Sequence, residues 1–209
     1  MTWFTRTGLS LIMLLLAHGA AAENLLSNPD FDGDKGLIGW VTKAGSETCP
    51  MNTDCGRMYA STAECCGRAN SGSASSTSAL SQFDQLSQCV RGIEPKASYD
   101  ASVWIQLTPA SGLNQAPKPS FSVAWYASTD CTGPLLSSET MSARAGAWAQ
   151  FSLPGIVSPA KVGSARFSLF ASYRGKPNVG TNAVRTDFDS AFFGPSGTVP
   201  VELQSFSID

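Results

Sequence analysis

Alternation with a period of two runs through the longest apolar segments of this chain, and it leaves little room for helix. In Ser98 to Leu107, SYDASVWIQL, the residues Tyr99, Ala101, Val103, Ile105 and Leu107 fall on one side of an extended chain. Ser98, Asp100, Ser102, Trp104 and Gln106 fall on the other. The same apolar phase recurs at Phe121, Val123, Trp125 and Ala127, at Ala147, Ala149, Phe151 and Leu153, and at Ala165, Phe167, Leu169, Ala171 and Tyr173. Shorter candidate strands are Asn24 to Asn28, Trp40 to Lys43, Leu86 to Gly92, Leu135 to Thr140, Arg185 to Phe193 and Val199 to Phe206. Turn residues separate these segments. About ten strands in one domain predict an all-β fold, a two-sheet antiparallel β-sandwich. Two stretches lack the pattern. Ala69 to Ser81, ANSGSASSTSALS, is small and polar and reads as a surface loop. Pro109 to Pro119 carries three prolines and reads as a long hairpin loop.

The N-terminus follows a different rule. Arg6, the apolar run Leu9 to Ala17 and the small residues Ala20, Ala21 and Ala22 have the make-up of a signal peptide over residues 1–22. No later stretch is apolar enough for a membrane span. The expectation is an exported chain, secreted or periplasmic and monomeric. Its domain would cover 23–194, and 195–209 would be a tail or a last strand. Cleavage would remove His18, the only histidine. That excludes Ser-His-Asp and Cys-His catalysis and histidine-ligated zinc. A formal net charge of −2 favours neither nucleic acid nor an anionic membrane surface as partner. The six cysteines, Cys49, Cys55, Cys65, Cys66, Cys89 and Cys131, form an even set that reads as disulfides in an exported chain. Their pairing stays open. Cys65 and Cys66 point apart in an extended chain, so they are not expected to pair with each other; one of them is expected to bond within the Cys49–Cys55 region. Thiolate metal binding lacks a paired CxxC spacing to support it.

Three further stretches carry a resemblance. NLLSNPDFDGDKGLIGW, Asn24 to Trp40, resembles the opening of jelly-roll carbohydrate-binding modules of the galactose-binding-like superfamily. TDFDSAFFG, Thr186 to Gly194, resembles their closing strand. LSQCVRGIEPKASYDASVWIQL between them is similar to their paired central strands. The cysteine-rich stretch Cys49 to Cys66 and the tail VPVELQSFSID depart from the family pattern. The resemblance implies a jelly roll and a structural calcium ion tying the first strand to the last. By position, Asp32 and Asp189 would be its ligands, with Asn28 and Asp30 as contributors. Calcium takes hard oxygen ligands, which fits these residue types; a plain solvated acidic turn is the alternative.

The polar phases of the strands contain lone aromatics beside hydrogen-bonding side chains, a combination suited to the apolar faces and hydroxyl rim of a sugar. Trp104, Trp148 and Tyr126, with Gln106, Gln150 and Arg166, are therefore the candidate ligand-binding residues. They would not act together if the strands lie in different sheets, or if the cysteine-rich or proline-rich segment covers them. Trp40 and Trp125 are expected in the core. Functionally, these features predict a non-catalytic module that binds a poly- or oligosaccharide. The alternative is an exported structural or adhesive sandwich without a sugar ligand. A glycosidase carboxylate pair, or a lyase site at Tyr173 with Arg174 or Lys176, has less support.

Overall fold

The computed structural model describes residues 23–32, 36–44, 59–61, 65, 72–78, 82–108, 118–144, 146–173 and 184–197. Residues 1–22, Cys49, Cys55, Cys66, Arg174, Lys176, the tail from Val199 and the Tyr173 side chain lie outside the described residues.

Ten strands occur among the described residues, and no helix. They are β1 (Val41–Ala44), β2 (Tyr59–Ser61), β3 (Ser73–Ser78), β4 (Gln82–Arg91), β5 (Ser98–Thr108), β6 (Ser120–Tyr126), β7 (Leu135–Ser142), β8 (Gly146–Val157), β9 (Ser164–Tyr173) and β10 (Val184–Pro195). All pairings are antiparallel. One five-stranded sheet has the order β1-β4-β9-β6-β7 and the other β2-β3-β10-β5-β8. The all-β sandwich expected from alternation is the observed architecture.

Two expectations need correction. Ala69 to Ser81 is not a surface loop throughout, because β3 occupies Ser73–Ser78 within it. Ser73, Ala74, Ser75 and Ser76 are fully buried. Their backbones pair with β2 and β10, and small side chains suffice where both faces of the strand are covered. Asn24 to Asn28 is not a strand either. It is an irregular segment fastened to β10: Leu25 N–H donates to Phe193 O, Asn24 Nδ2 donates to Ala191 O, and Phe193 N–H donates to Asn24 Oδ1.

The apolar phases of the long strands meet between the sheets. Tyr99, Val103, Ile105 and Leu107 of β5, Phe188 and Phe193 of β10, Phe121, Val123 and Trp125 of β6, and Phe167 and Leu169 of β9 are all buried there. Aromatic rings form a continuous chain through this core. Phe31 lies 5.2 Å from Trp40, Trp40 lies 6.2 Å from Phe167, and Phe167 lies 6.4 Å from Phe193. Phe193 in turn stacks on Tyr99 at 5.3 Å and tilts against Trp125 at 5.9 Å.

The opening segment is built around this chain of rings. Asn28 and Phe31 take left-handed backbone conformations, φ 49° and 48°, which turn Phe31 into the core. Trp40 Nε1 donates to Asn28 O. Gln88 points inward from β4 and accepts Ser27 N–H at 2.7 Å, while its Nε2 donates to Ser27 O and Gly39 O. On the other side, β10 carries a bulge between Asp189 and Phe192, with Ser190 at φ 46°. The bulge frees Ala191 N–H, which donates to Pro29 O. Just beyond it, a Cβ on Gly194 would lie 2.2 Å from Glu23 O, so glycine alone permits this close approach.

Trp125→Ala should lower folding stability by roughly 3–5 kcal/mol in denaturant titration. Gln88→Ala should lower it by about 1–3 kcal/mol, because Ser27 and Gly39 lose their partner.

Candidate functional site

The six candidate ligand residues divide between the two sheets. Trp104 of β5 pairs with Gln150 of β8 and with Asp189 of β10, and Gln106 pairs with Asp187. Trp148 stands two residues before Gln150, so Trp104, Gln106, Trp148 and Gln150 share the outer face of the sheet β2-β3-β10-β5-β8. Tyr126 of β6 and Arg166 of β9 belong to the outer face of the other sheet. The outer faces of a sandwich point in opposite directions, so the six residues do not form one platform. Alternation fixes which residues share a strand face. It cannot say which strands share a sheet.

One half of the first of these faces is closed. Ser73, Ser75, Asp187 and Asp189 sit on the outer sides of β3 and β10 and are all buried. Cys65, itself buried and disulfide-bonded, donates its N–H to Asp189 Oδ2 at 3.1 Å. Its disulfide partner lies outside the described residues. Asp187 Oδ1 accepts from Ser75 Oγ and from Arg185 Nε at 2.9 Å. Both acids are enclosed and bonded, which removes them as an accessible acid and base pair. The open half is formed by β5 and β8, with Trp104, Gln106 and Trp148 half-buried and Gln150 exposed.

On the sheet β1-β4-β9-β6-β7, the outer face has a different shape. Ser87, Ser168, Ser122 and Thr140 form one row across β4, β9, β6 and β7. Ser168 and Ser122 are only 2% and 7% exposed, although both point away from the core. Taller side chains flank them. Gln85 and Phe170 lie on one side, with Gln85 Nε2 donating to Ser168 Oγ at 3.2 Å. Arg166 and Tyr126 lie on the other. Phe170 and Arg166 are four residues apart on β9, so their backbones are separated by about 13 Å. The result is a trough crossing the strands, about 15 Å long over four strands, with a hydroxyl floor and two mixed walls.

The Arg166 wall is fixed in place. The disulfide Cys89–Cys131 ties β4 to the β6–β7 loop, straddling β9, with a Cα–Cα distance of 6.0 Å. Arg166 Nη2 donates to Cys131 O, and its guanidinium carbon lies 4.9 Å from the centre of the Tyr126 ring. Ser164 Oγ accepts Cys131 N–H and donates to Ser128 O. In the same loop, hydrogen bonds from the Thr132 hydroxyl, then the Ser128 hydroxyl and the Thr132 N–H, hold the Asp130 carboxyl below the usual carboxylate range.

Phe170, Gln85 and the serine floor escaped the sequence reading. A signal existed for Phe170, a lone aromatic in the polar phase of its strand. The floor had none, because a row across four strands joins residues far apart in sequence.

The opening loop and the β10 bulge lie together, as the bonds from Ala191 to Pro29 and from Gly72 N–H to Asp30 O require. Asp30, Asp32 and Asp189 offer the hard oxygens that calcium takes, and Ser190 Oγ is buried there without a hydrogen-bond partner. Asn28 stands beside them, its Oδ1 accepting Asp32 N–H and its Nδ2 donating to Gly36 O. Among the described residues, no three or more His, Cys, Asp or Glu residues are grouped to hold a metal ion. Any ion here would depend on hydroxyl and backbone oxygens as well.

No family model and no curated protein matches the sequence. Solved structures do match the fold. The enzymatically active domain of bacteriophage CBA120 tailspike protein 4 superposes with a TM-score of 0.60 at 12% identity, over 82% of this chain but only 21% of that one. TmCBM61 in complex with β-1,4-galactotriose gives 0.55 at 14% identity, over 84% of this chain and 100% of that one. A family 16 carbohydrate-binding module gives 0.54 at 14% identity, over 81% and 99%. The chain thus has the jelly-roll fold of the carbohydrate-binding modules, as its opening and closing motifs imply.

Proposed function

We propose that this chain is an exported, non-catalytic, monomeric carbohydrate-binding protein that takes a glycan chain in the trough of the sheet β1-β4-β9-β6-β7. The trough is the observation that carries this reading: buried Ser168 and Ser122 between the Phe170–Gln85 and Arg166–Tyr126 walls. Hydroxyl and amide groups suit a sugar's rim, and aromatic edges suit its C–H faces. A module of this fold that binds β-1,4-galactotriose agrees with the reading. The Cys89–Cys131 bond and the bonded Cys65 support export, since such bonds persist in oxidising compartments. The enclosure of Asp187 and Asp189 supports a non-catalytic role. The open half-face with Trp104, Gln106, Trp148 and Gln150 is a second candidate surface.

Phe170→Ala should weaken binding to a panel of soluble polysaccharides by about 1–3 kcal/mol in affinity electrophoresis, with the melting temperature largely kept. Trp104→Ala and Trp148→Ala should leave that affinity unchanged if the trough is the site. The opposite pattern would move the ligand to the β5–β8 surface. Absence of binding to any glycan would leave the structural or adhesive reading.

A calcium ion held by Asp32 and Asp189, with Asp30 contributing, completes the proposal. It would join the opening loop to β10 without entering the trough. At a hundredfold excess over its dissociation constant, such an ion stabilises the fold by about 2.7 kcal/mol. Chelator should therefore lower the melting temperature, and Asp189→Asn should remove that response. A melting curve indifferent to chelator would refute the ion.

A further inference from the structure

We infer that the trough selects an anionic polysaccharide, one presenting carboxylate or sulfate groups along the edge that lies on the Arg166 wall. This rests on the glycan-binding reading above and adds the ligand's charge. Arg91 of β4 pairs with Ser164 of β9, two residues before Arg166, so the two arginines are diagonal neighbours on this face. Neither forms an ion pair among the described residues. Arg166 spends one Nη2 hydrogen on Cys131 O and stacks on Tyr126, which fixes the guanidinium plane and leaves its other N–H groups for a ligand.

Lys43 of β1 pairs with Gln85 in the same outward phase, and the other described outer-face residues of this sheet are neutral. They are Val41 of β1, Gln85, Ser87 and Cys89 of β4, Ser168 and Phe170 of β9, Ser122 and Tyr126 of β6, and Thr140 of β7, with small residues between them. Glu139 pairs with the inward-facing Val123 and so belongs to the opposite side of β7. Asp130, in the loop gripped by Arg166, accepts from both the N–H and the hydroxyl of Thr132. In a chain of net charge −2, a binding face with two arginines outside any ion pair and no carboxylate has a local sign opposite to the whole. An uncharged sugar would leave both cations unmatched, whereas a planar carboxylate or a sulfate offers an Arg fork two parallel acceptors.

The test is calorimetric titration of the full chain with three polymers: polygalacturonate, the same polymer with its carboxyl groups reduced to alcohols, and dextran sulfate. Polygalacturonate should bind at least about tenfold more tightly than its reduced form, the size expected for a hydrogen bond to a charged group. Arg166→Gln should cost about tenfold in that affinity, and Arg91→Gln several-fold; Arg91 is exposed, so its variant keeps the fold. Raising the salt concentration should weaken polygalacturonate and leave the reduced polymer unchanged. Tighter binding of dextran sulfate that the same variants weaken would assign the charge to sulfate within the same inference. Equal affinity for the charged and reduced polymers, untouched by either variant, would overturn the inference while leaving a neutral-glycan site intact. Loss of all binding to all three and to neutral polysaccharides would overturn the glycan reading itself. Polyanion binding that both arginine variants retain in full would also overturn the inference, because it would place the contact elsewhere.

Discussion

The chain of rings from Phe31 through Trp40 and Phe167 to Phe193 is the contact on which the rest of this sandwich depends. It links the irregular opening segment, the residue just before β1, the centre of one sheet and the last strand of the other. Each ring removes a large apolar area from water, and the tilted and edge-on arrangements suit their quadrupoles. The polar bonds around the opening segment are short-range by comparison. Gln88 and Asn24 orient backbone that Phe31 and Trp40 have already drawn inward. Without the rings, those amides would bond equally well to water.

Closure at the β10 bulge has a second consequence. An extra residue in β10 leaves Ala191 without a ladder partner on one side, and the opening loop supplies one through Pro29. Asp189, the last residue in regular register before the bulge, faces outward by alternation with Phe188, and Cys65 docks on it. The stretch around the bulge thus holds both the opening loop, through Ala191, and Cys65, through Asp189. Cys65 and the buried Ser73, Ser75, Asp187 and Asp189 belong to one outer face, and the trough belongs to the other.

Much of the fold was legible in sequence because burial imposes period two on strands, and Tyr99 to Leu107 or Ala165 to Ala171 have no other economical reading. β3 was not legible: Ser73, Ser75 and Ser76 are buried serines, and composition alone cannot distinguish a covered strand of small residues from a solvated loop. The candidate site was partly legible. Tyr126 and Arg166 stand on the trough wall, while Trp104 and Trp148 stand on the far side of the molecule. Their separation depends on pairings between strands distant in the chain, such as β4 with β9 and β10 with β3, which no local pattern encodes.

The wall and the floor of the trough have different physical requirements. A floor of serines asks only that side chains be short, and any strand carrying Ser or Thr in its outward phase supplies it. The wall asks for a fixed cation, and a long flexible side chain does not stay fixed without support. Arg166 obtains that support from the Cys131 carbonyl, which is itself immobilised by the bond to Cys89 and by Ser164. Gly163 makes the support possible, since a Cβ there would lie 2.7 Å from Ser128 O and push the loop away from β9. The disulfide therefore does more than close a chain loop. It holds the carbonyl that sets the arginine's plane, so the orientation of the cation in the trough is a property of the covalent framework and not of a side-chain rotamer alone.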